Sequence, residues 1–125
     1  MAKVVVGYVP KPEGEAALDA AIEEARRRGA ELVVVNARRA GAEPKPDLDA
    51  VRGKLTDSGV TFDVREVDQG LDASEDLIAV AEETSAELIV IGLRRRTPVG
   101  KLILGSNAQR VLLDAPCPVL AVKAT

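Results

Sequence analysis

The chain contains no histidine and no tryptophan. Losing histidine removes the commonest general base and the commonest zinc ligand together. A Ser-His-Asp or Cys-His enzyme is thereby excluded. Aromatic residues make up only 2% of the chain, with one tyrosine and one phenylalanine. That scarcity argues against a binding face of stacked aromatics, as single-strand nucleic-acid readers use. One cysteine, Cys117, forbids an internal disulfide and fits a reducing compartment. No stretch reads as a signal peptide or reaches membrane-spanning length, so the expected location is the cytosol. Net charge is −3, which does not favour nucleic acid or an anionic membrane as partner.

Aliphatic residues are what the chain has in abundance. Hydrophobic residues make up 46% of 125 residues, enough for the core of one domain. Val, Leu, Ile and Ala must build that core. Continuous aliphatic runs suit a parallel sheet covered on both faces.

Strand and helix patterns alternate from end to end. Val4-Val5-Val6 opens a strand over about residues 3–9. Ala17, Leu18, Ala21, Ile22 and Ala25 recur at helical spacing, and Arg26-Arg27-Arg28 followed by Gly29 is a helix stop. Leu32–Val35 is a second strand. Residues 37–46 read as a loop. Leu48, Val51 and Leu55 mark a second helix ending near Gly59. Val60, Phe62 and Val64 alternate with Thr61, Asp63 and Arg65, the period of an edge strand with one wet face. Asp72 and Glu75 have capping-box spacing ahead of a third helix through Leu77, Ile78 and Ala81. Leu88–Ile91 is a fourth strand ending at Gly92. A last helix spans roughly Ser106 to Asp114, Pro116-Cys117-Pro118 breaks it, and Val119-Leu120-Ala121-Val122 is a fifth strand.

Five strands alternating with four helices predict an α/β fold with a parallel sheet in the order 3-2-1-4-5 and helices on both faces. The whole chain, 1–125, is expected to be one domain. The topology reverses between strands 1 and 4, and ligands of open α/β sheets bind there, outside the carboxyl ends of the strands. Two loops should meet at that point, Val9–Gly14 and Gly92–Ser106.

The second loop carries the chemistry. Gly92 is read as letting the backbone turn as it leaves the strand. Gly105 and Ser106 stand where the last helix begins, where unpaired amides and the helix dipole attract phosphate. Ser106 and Asn107 could add side-chain hydrogen bonds. Arg94, Arg95, Arg96 and Lys101 put four positive charges in eight residues of an acidic chain. Taken by itself, Gly105-Ser106 also reads as an ordinary helix start with Ser106 as N-cap. It is not a Walker A loop, because Gly100-Lys101 lacks a glycine at 95 and Ser or Thr at 102.

These residues resemble the universal stress protein family over the whole chain. Its nucleotide signature is a glycine, two residues, a second glycine, nine residues, then glycine and Ser or Thr. Gly92, the spacer 96–104, Gly105 and Ser106 match in register, and Asp114-Ala115-Pro116-Cys117-Pro118-Val119 is similar to the family's last turn and strand. The resemblance implies a stress-response or regulatory protein that binds ATP, ADP or AMP, with Mg²⁺ accompanying it. It implies phosphates on Gly92, Arg95, Gly105, Ser106 and Asn107, and the nucleoside near Tyr8, Val9 and Val35. No dedicated catalysis is expected, only slow incidental ATP hydrolysis. A homodimer through Val119, Leu120, Ala121 and Val122 is implied too, and covering an aliphatic edge strand suits it. Two positions depart from the pattern. Arg95 replaces the second glycine, and Val9 stands where ATP-binding members often carry an acid. The alternative is a nucleotide-independent dimeric module of the same fold.

Other features have plainer readings. Cys117 is expected to be a buried, inert thiol. Asp68, Asp72, Glu75 and Asp76 are expected to cap the third helix and offset its dipole.

Overall fold

The computed structural model describes residues 2–37, 48–67, 73–93 and 106–124. Within them the order is β1 (Lys3–Gly7), α1 (Pro12–Arg28), β2 (Glu31–Ala37), α2 (Asp49–Ser58), β3 (Phe62–Val67), α3 (Ala73–Thr84), β4 (Leu88–Leu93), α4 (Ser106–Asp114) and β5 (Val119–Lys123). All neighbouring strands pair in parallel, in the order β3-β2-β1-β4-β5. This is the expected topology, with its reversal between β1 and β4.

Side-chain alternation divides the core into two layers. Val4, Val6, Leu32, Val34, Leu88 and Val90 face α1 and α2, where Leu18, Ala21, Val51 and Leu55 meet them. Val5, Val33, Val35, Ile89 and Ile91 face α3 and α4, where Leu77, Val80, Ala81 and Val111 meet them. The central strands are buried on both faces, which explains their unbroken aliphatic runs. Burying each Val, Leu or Ile contributes roughly 1.5–3 kcal/mol before conformational entropy is counted. No helix among the described residues is long and apolar enough to cross a membrane.

The helix boundaries follow local chemistry. Pro12 opens α1, Glu13 and Glu15 lie in its first turn and three arginines in its last. These charges complement the helix dipole. Gly29 closes α1 at φ 60°, its amide donating to Ala25 and Arg26 carbonyls. The edge strand β3 has the predicted wet face, but it is stitched to α3. Arg65 lies 3.1 Å from both Asp63 and Glu83.

Three boundaries differ from the sequence reading. β1 stops at Gly7, because the Val9 carbonyl accepts a 2.8 Å hydrogen bond from the Lys11 amide and turns the chain into α1. β4 continues through Gly92 to Leu93, which pairs with Lys123. β3 begins at Phe62, after Val60 and Thr61. Asp68, Asp72 and most of the 37–46 loop lie outside the described residues.

The first turn of α1 is pressed onto the sheet at Gly14. A Cβ there would stand 1.7 Å from the Val9 carbonyl oxygen, which only backbone movement could relieve. Gly53 in α2 is the opposite case, exposed and with nothing within 4 Å of where a Cβ would stand. Gly14→Ala is expected to destabilise the fold by about 1–3 kcal/mol through overpacking. Gly53→Ala is expected to stabilise it by about 0.5–1 kcal/mol, the ordinary gain in helix propensity. Urea midpoints of the two variants should move in opposite directions, and a matching direction would contradict this packing.

Candidate nucleotide site

A cavity of about 170 Å³ lies at the carboxyl ends of β1 and β4. Its sheet-side wall is Gly7, Tyr8 and Val9 after β1, Val35 of β2, and Ile91 and Gly92 of β4. Three helices begin around it. Glu13 and Gly14 come from the first turn of α1, Ala73 and Ser74 from that of α3, and Asn107 and Ala108 from that of α4. Leu77 and Val111 close the apolar side. Parallel topology causes this convergence, because each helix begins near the carboxyl end of the strand before it. Helix N-termini carry partial positive charge and outward amides, so the rim suits an anion while the walls suit an apolar ring.

Gly92 has a different reason from the one its sequence context suggests. It is not a turn residue but lies inside β4. A Cβ on it would stand 2.0 Å from the Glu13 carbonyl oxygen. The first turn of α1 thus occupies the space beside Gly92. The glycine lets that turn reach the strand and build one end of the cavity.

Tyr8 lies at the centre of the wall and is only 5% exposed. Its amide donates to the Val35 carbonyl at 2.9 Å, tying the strand ends together. Its hydroxyl donates to Glu15 Oε1 at 2.6 Å. Glu15 Oε2 in turn lies 3.6 Å from Lys54 Nζ, which also pairs with Asp19. This chain of contacts joins the cavity wall to α1 and α2. Burial, then the Glu15 hydrogen bond and its negative charge, push the Tyr8 phenol up to about 12. Across the rim, Arg110 of α4 reaches Glu75 of α3 at 2.7 Å and fixes the two helix starts relative to each other.

The expected nucleoside contacts Tyr8, Val9 and Val35 all line the cavity, as do Gly92 and Asn107. Ser106 is the exposed first residue of α4, beside Asn107 but not on the wall. Arg95 and Gly105 lie outside the described residues, as do Arg94, Arg96 and Lys101. The sequence reading missed Glu13, Ser74, Leu77 and Val111. The start of the third helix could have been placed here from the strand order alone. Asp76 is buried in the first turn of α3 rather than lying on its surface. Among the described residues no group of three or more acidic or cysteine side chains could hold a metal. Cys117 is half-buried, and burial pushes its thiol up, which favours the unreactive protonated form.

A helix-covered five-stranded parallel sheet, with a cavity at its topological reversal, defines a nucleotide-fold architecture. The model of the Universal stress protein family matches residues 1–123. A universal stress protein of Mycolicibacterium smegmatis is 48% identical, with 96% of each chain covered. A solved universal stress protein from Archaeoglobus fulgidus is 34% identical with a TM-score of 0.79, covering 98% of this chain and 99% of that one. A second from the same organism, solved in complex with dAMP, is 28% identical with a TM-score of 0.74 and 98% of each chain covered. The chain belongs to the universal stress protein family.

Tyr8 is the only tyrosine, so the tyrosinate absorbance band reports on this wall alone. Alkaline titration should place its midpoint near 12 rather than 10. Glu15→Gln should lower that midpoint part of the way, since burial remains. The raised value also sets a pH dependence of folding. Below pH about 10 the phenol is neutral in both states and its contribution is intact; as pH climbs toward 12 only the unfolded chain ionises, so stability falls. A native midpoint at the ordinary value contradicts the buried hydrogen bond.

Proposed function

We propose that this chain is a regulatory protein that binds an adenine nucleotide in the cavity between β1 and β4 and carries out no dedicated catalysis. The observation that carries the reading is the convergence of three helix N-termini on one apolar cavity at the reversal of the strand order. The dAMP bound by the Archaeoglobus fulgidus relative supports the ligand class.

The residues present fit such a ligand. The cavity falls below the roughly 300–1,000 Å³ of a site enclosing a whole drug-sized molecule. It therefore takes the base and sugar, with the base against Tyr8, Val9 and Val35. The phosphates lie at the start of α4, on Ser106 and Asn107. Phosphate oxygens there gain charge-assisted bonds from backbone amides and lie at the positive end of the helix. ATP, ADP and AMP share this recognition, and any Mg²⁺ is carried in by the phosphates. Absence of histidine and the protonated state of Tyr8 both favour binding without turnover. The cytosol is the proposed location.

The edge strand supports a second proposal, a homodimer. The exposed long edge of β5 carries Val119, Leu120, Ala121 and Val122, each half-buried at most, and nearby α4 leaves Leu113 83% exposed. Pairing β5 with its two-fold mate would satisfy the open backbone groups and cover this apolar edge. A nucleotide-independent dimeric module remains the alternative reading, motivated by Arg95 and Val9.

Titration calorimetry with ATP, ADP and AMP is expected to give saturable binding by the native chain. Asn107→Ala should weaken it by about 5- to 10-fold, the loss of one hydrogen bond. No heat and no thermal shift at millimolar nucleotide would favour the nucleotide-independent module. Sedimentation should show a native dimer. A native monomer at high concentration sinks the dimer.

A further inference from the structure

Of the three helices that begin at the cavity, α4 is the least anchored. Val111 is its one buried residue, whereas α1 buries six residues and α3 five. Among the described residues α4 rests chiefly on α3 rather than on the sheet. A helix of nine residues is too short to hold itself in water, so its tertiary contacts decide where it sits. Few buried apolar contacts also put a segment at the low end of local stability.

An ion pair crosses from α4 to α3. Arg110 Nη1 lies 2.7 Å from Glu75 Oε1, and Arg110 Nε lies 3.6 Å from Asp114 Oδ2 on its own helix. Both ends of the crossing pair adjoin the cavity wall, since Glu75 follows Ser74 and Arg110 precedes Val111. Partly exposed ion pairs usually contribute little to global stability. This one spans the gap between two walls, and one of those walls has a single buried anchor. It therefore weighs more in placing α4 than in holding the fold. A contact of that strength opens readily, and its opening frees α4 alone.

We propose that the Arg110–Glu75 pair is a latch that holds α4 against α3 and so sets how readily the cavity admits and releases its ligand. With the latch closed, Asn107 and Ala108 stand at the wall opposite Ala73 and Ser74. With it open, α4 pivots about Val111 and widens the mouth between them. Arg110 is thus a positioning residue, acting on α3 rather than on the ligand. The inference rests on the nucleotide-binding reading above for its ligand and adds to it a control on entry and release. The proposed phosphate contacts ride on α4, while Tyr8, Val9 and Val35 stay with the sheet, so a swing of α4 parts the two ends of the site.

Stopped-flow binding of AMP to the native chain, to Glu75→Gln, to Arg110→Gln and to the double variant tests the latch. Each single variant is expected to release AMP about 2- to 5-fold faster, the range of a partly exposed ion pair, and the double variant to match either single. Opposite shifts, with Glu75→Gln binding tighter and Arg110→Gln weaker, mean that the two charges act on the phosphate through space. That result overturns the latch and leaves nucleotide binding intact, as does unchanged release in both singles. Amide hydrogen exchange of the ligand-free protein gives a reading that needs no nucleotide. The α4 amides should exchange about 2- to 5-fold faster in each variant, with those of α1 unchanged. No gain in α4, or an equal gain across the fold, contradicts the latch. Failure of AMP to bind the folded native chain overturns the nucleotide reading alone, since the exchange then decides the latch.

Discussion

Everything at the working end of this fold depends on how closely the first turn of α1 sits on the sheet. Two glycines permit it. Gly14 brings α1 against the carbonyl of Val9, and Gly92 brings β4 against the carbonyl of Glu13. A side chain at either position would lift the helix start away from the strand ends. The cavity would then lose its Glu13–Gly14 end, and Tyr8 would lose the helix that supplies Glu15. One steric constraint thus sets the shape of the cavity, the place of the charge on its wall and the hydroxyl partner of its aromatic residue.

Given that seating, the electrostatics follow from topology. Parallel strands start their crossover helices at one edge of the sheet, and α1, α3 and α4 all point their amide ends at the same space. The aliphatic core runs up to that edge through Val35, Ile91, Leu77 and Val111. The resulting site is apolar in its walls, with three helix N-termini at its rim and Glu13 as its one charged lining residue. The contacts from Tyr8 through Glu15 to Lys54 and Asp19 hold the wall to two helices on the other face of the sheet. Rigidity of the wall therefore comes from behind it.

The strands and their order were legible because buried parallel strands need unbroken Val, Leu and Ile. The Arg26-Arg27-Arg28-Gly29 stop and the Ser106–Asp114 helix were legible for equally local reasons, dipole and cap. Tyr8, Val9, Val35 and Asn107 could be placed at the cavity from the strand order. What sequence hid were the tertiary constraints. Gly92 resembles any glycine after a strand, yet its need is a neighbouring helix. Glu13 resembles any acid in a first turn, and only the packing of α1 brings it to the cavity with no partner among the described residues. The end of β1 was misplaced by two residues, because a local turn between Val9 and Lys11 outcompeted the extended pattern.

The central claim is that the ends of β1 and β4 with the starts of α1, α3 and α4 form one nucleotide site. Amide NMR of the nitrogen-labelled chain titrated with AMP tests it most directly. Saturable shifts are expected to gather at Gly7–Gly14, Val35, Ser74, Gly92 and Asn107, with β3 and the middle of α2 unmoved. Shifts gathered elsewhere on the fold, or none at saturating nucleotide, would contradict it.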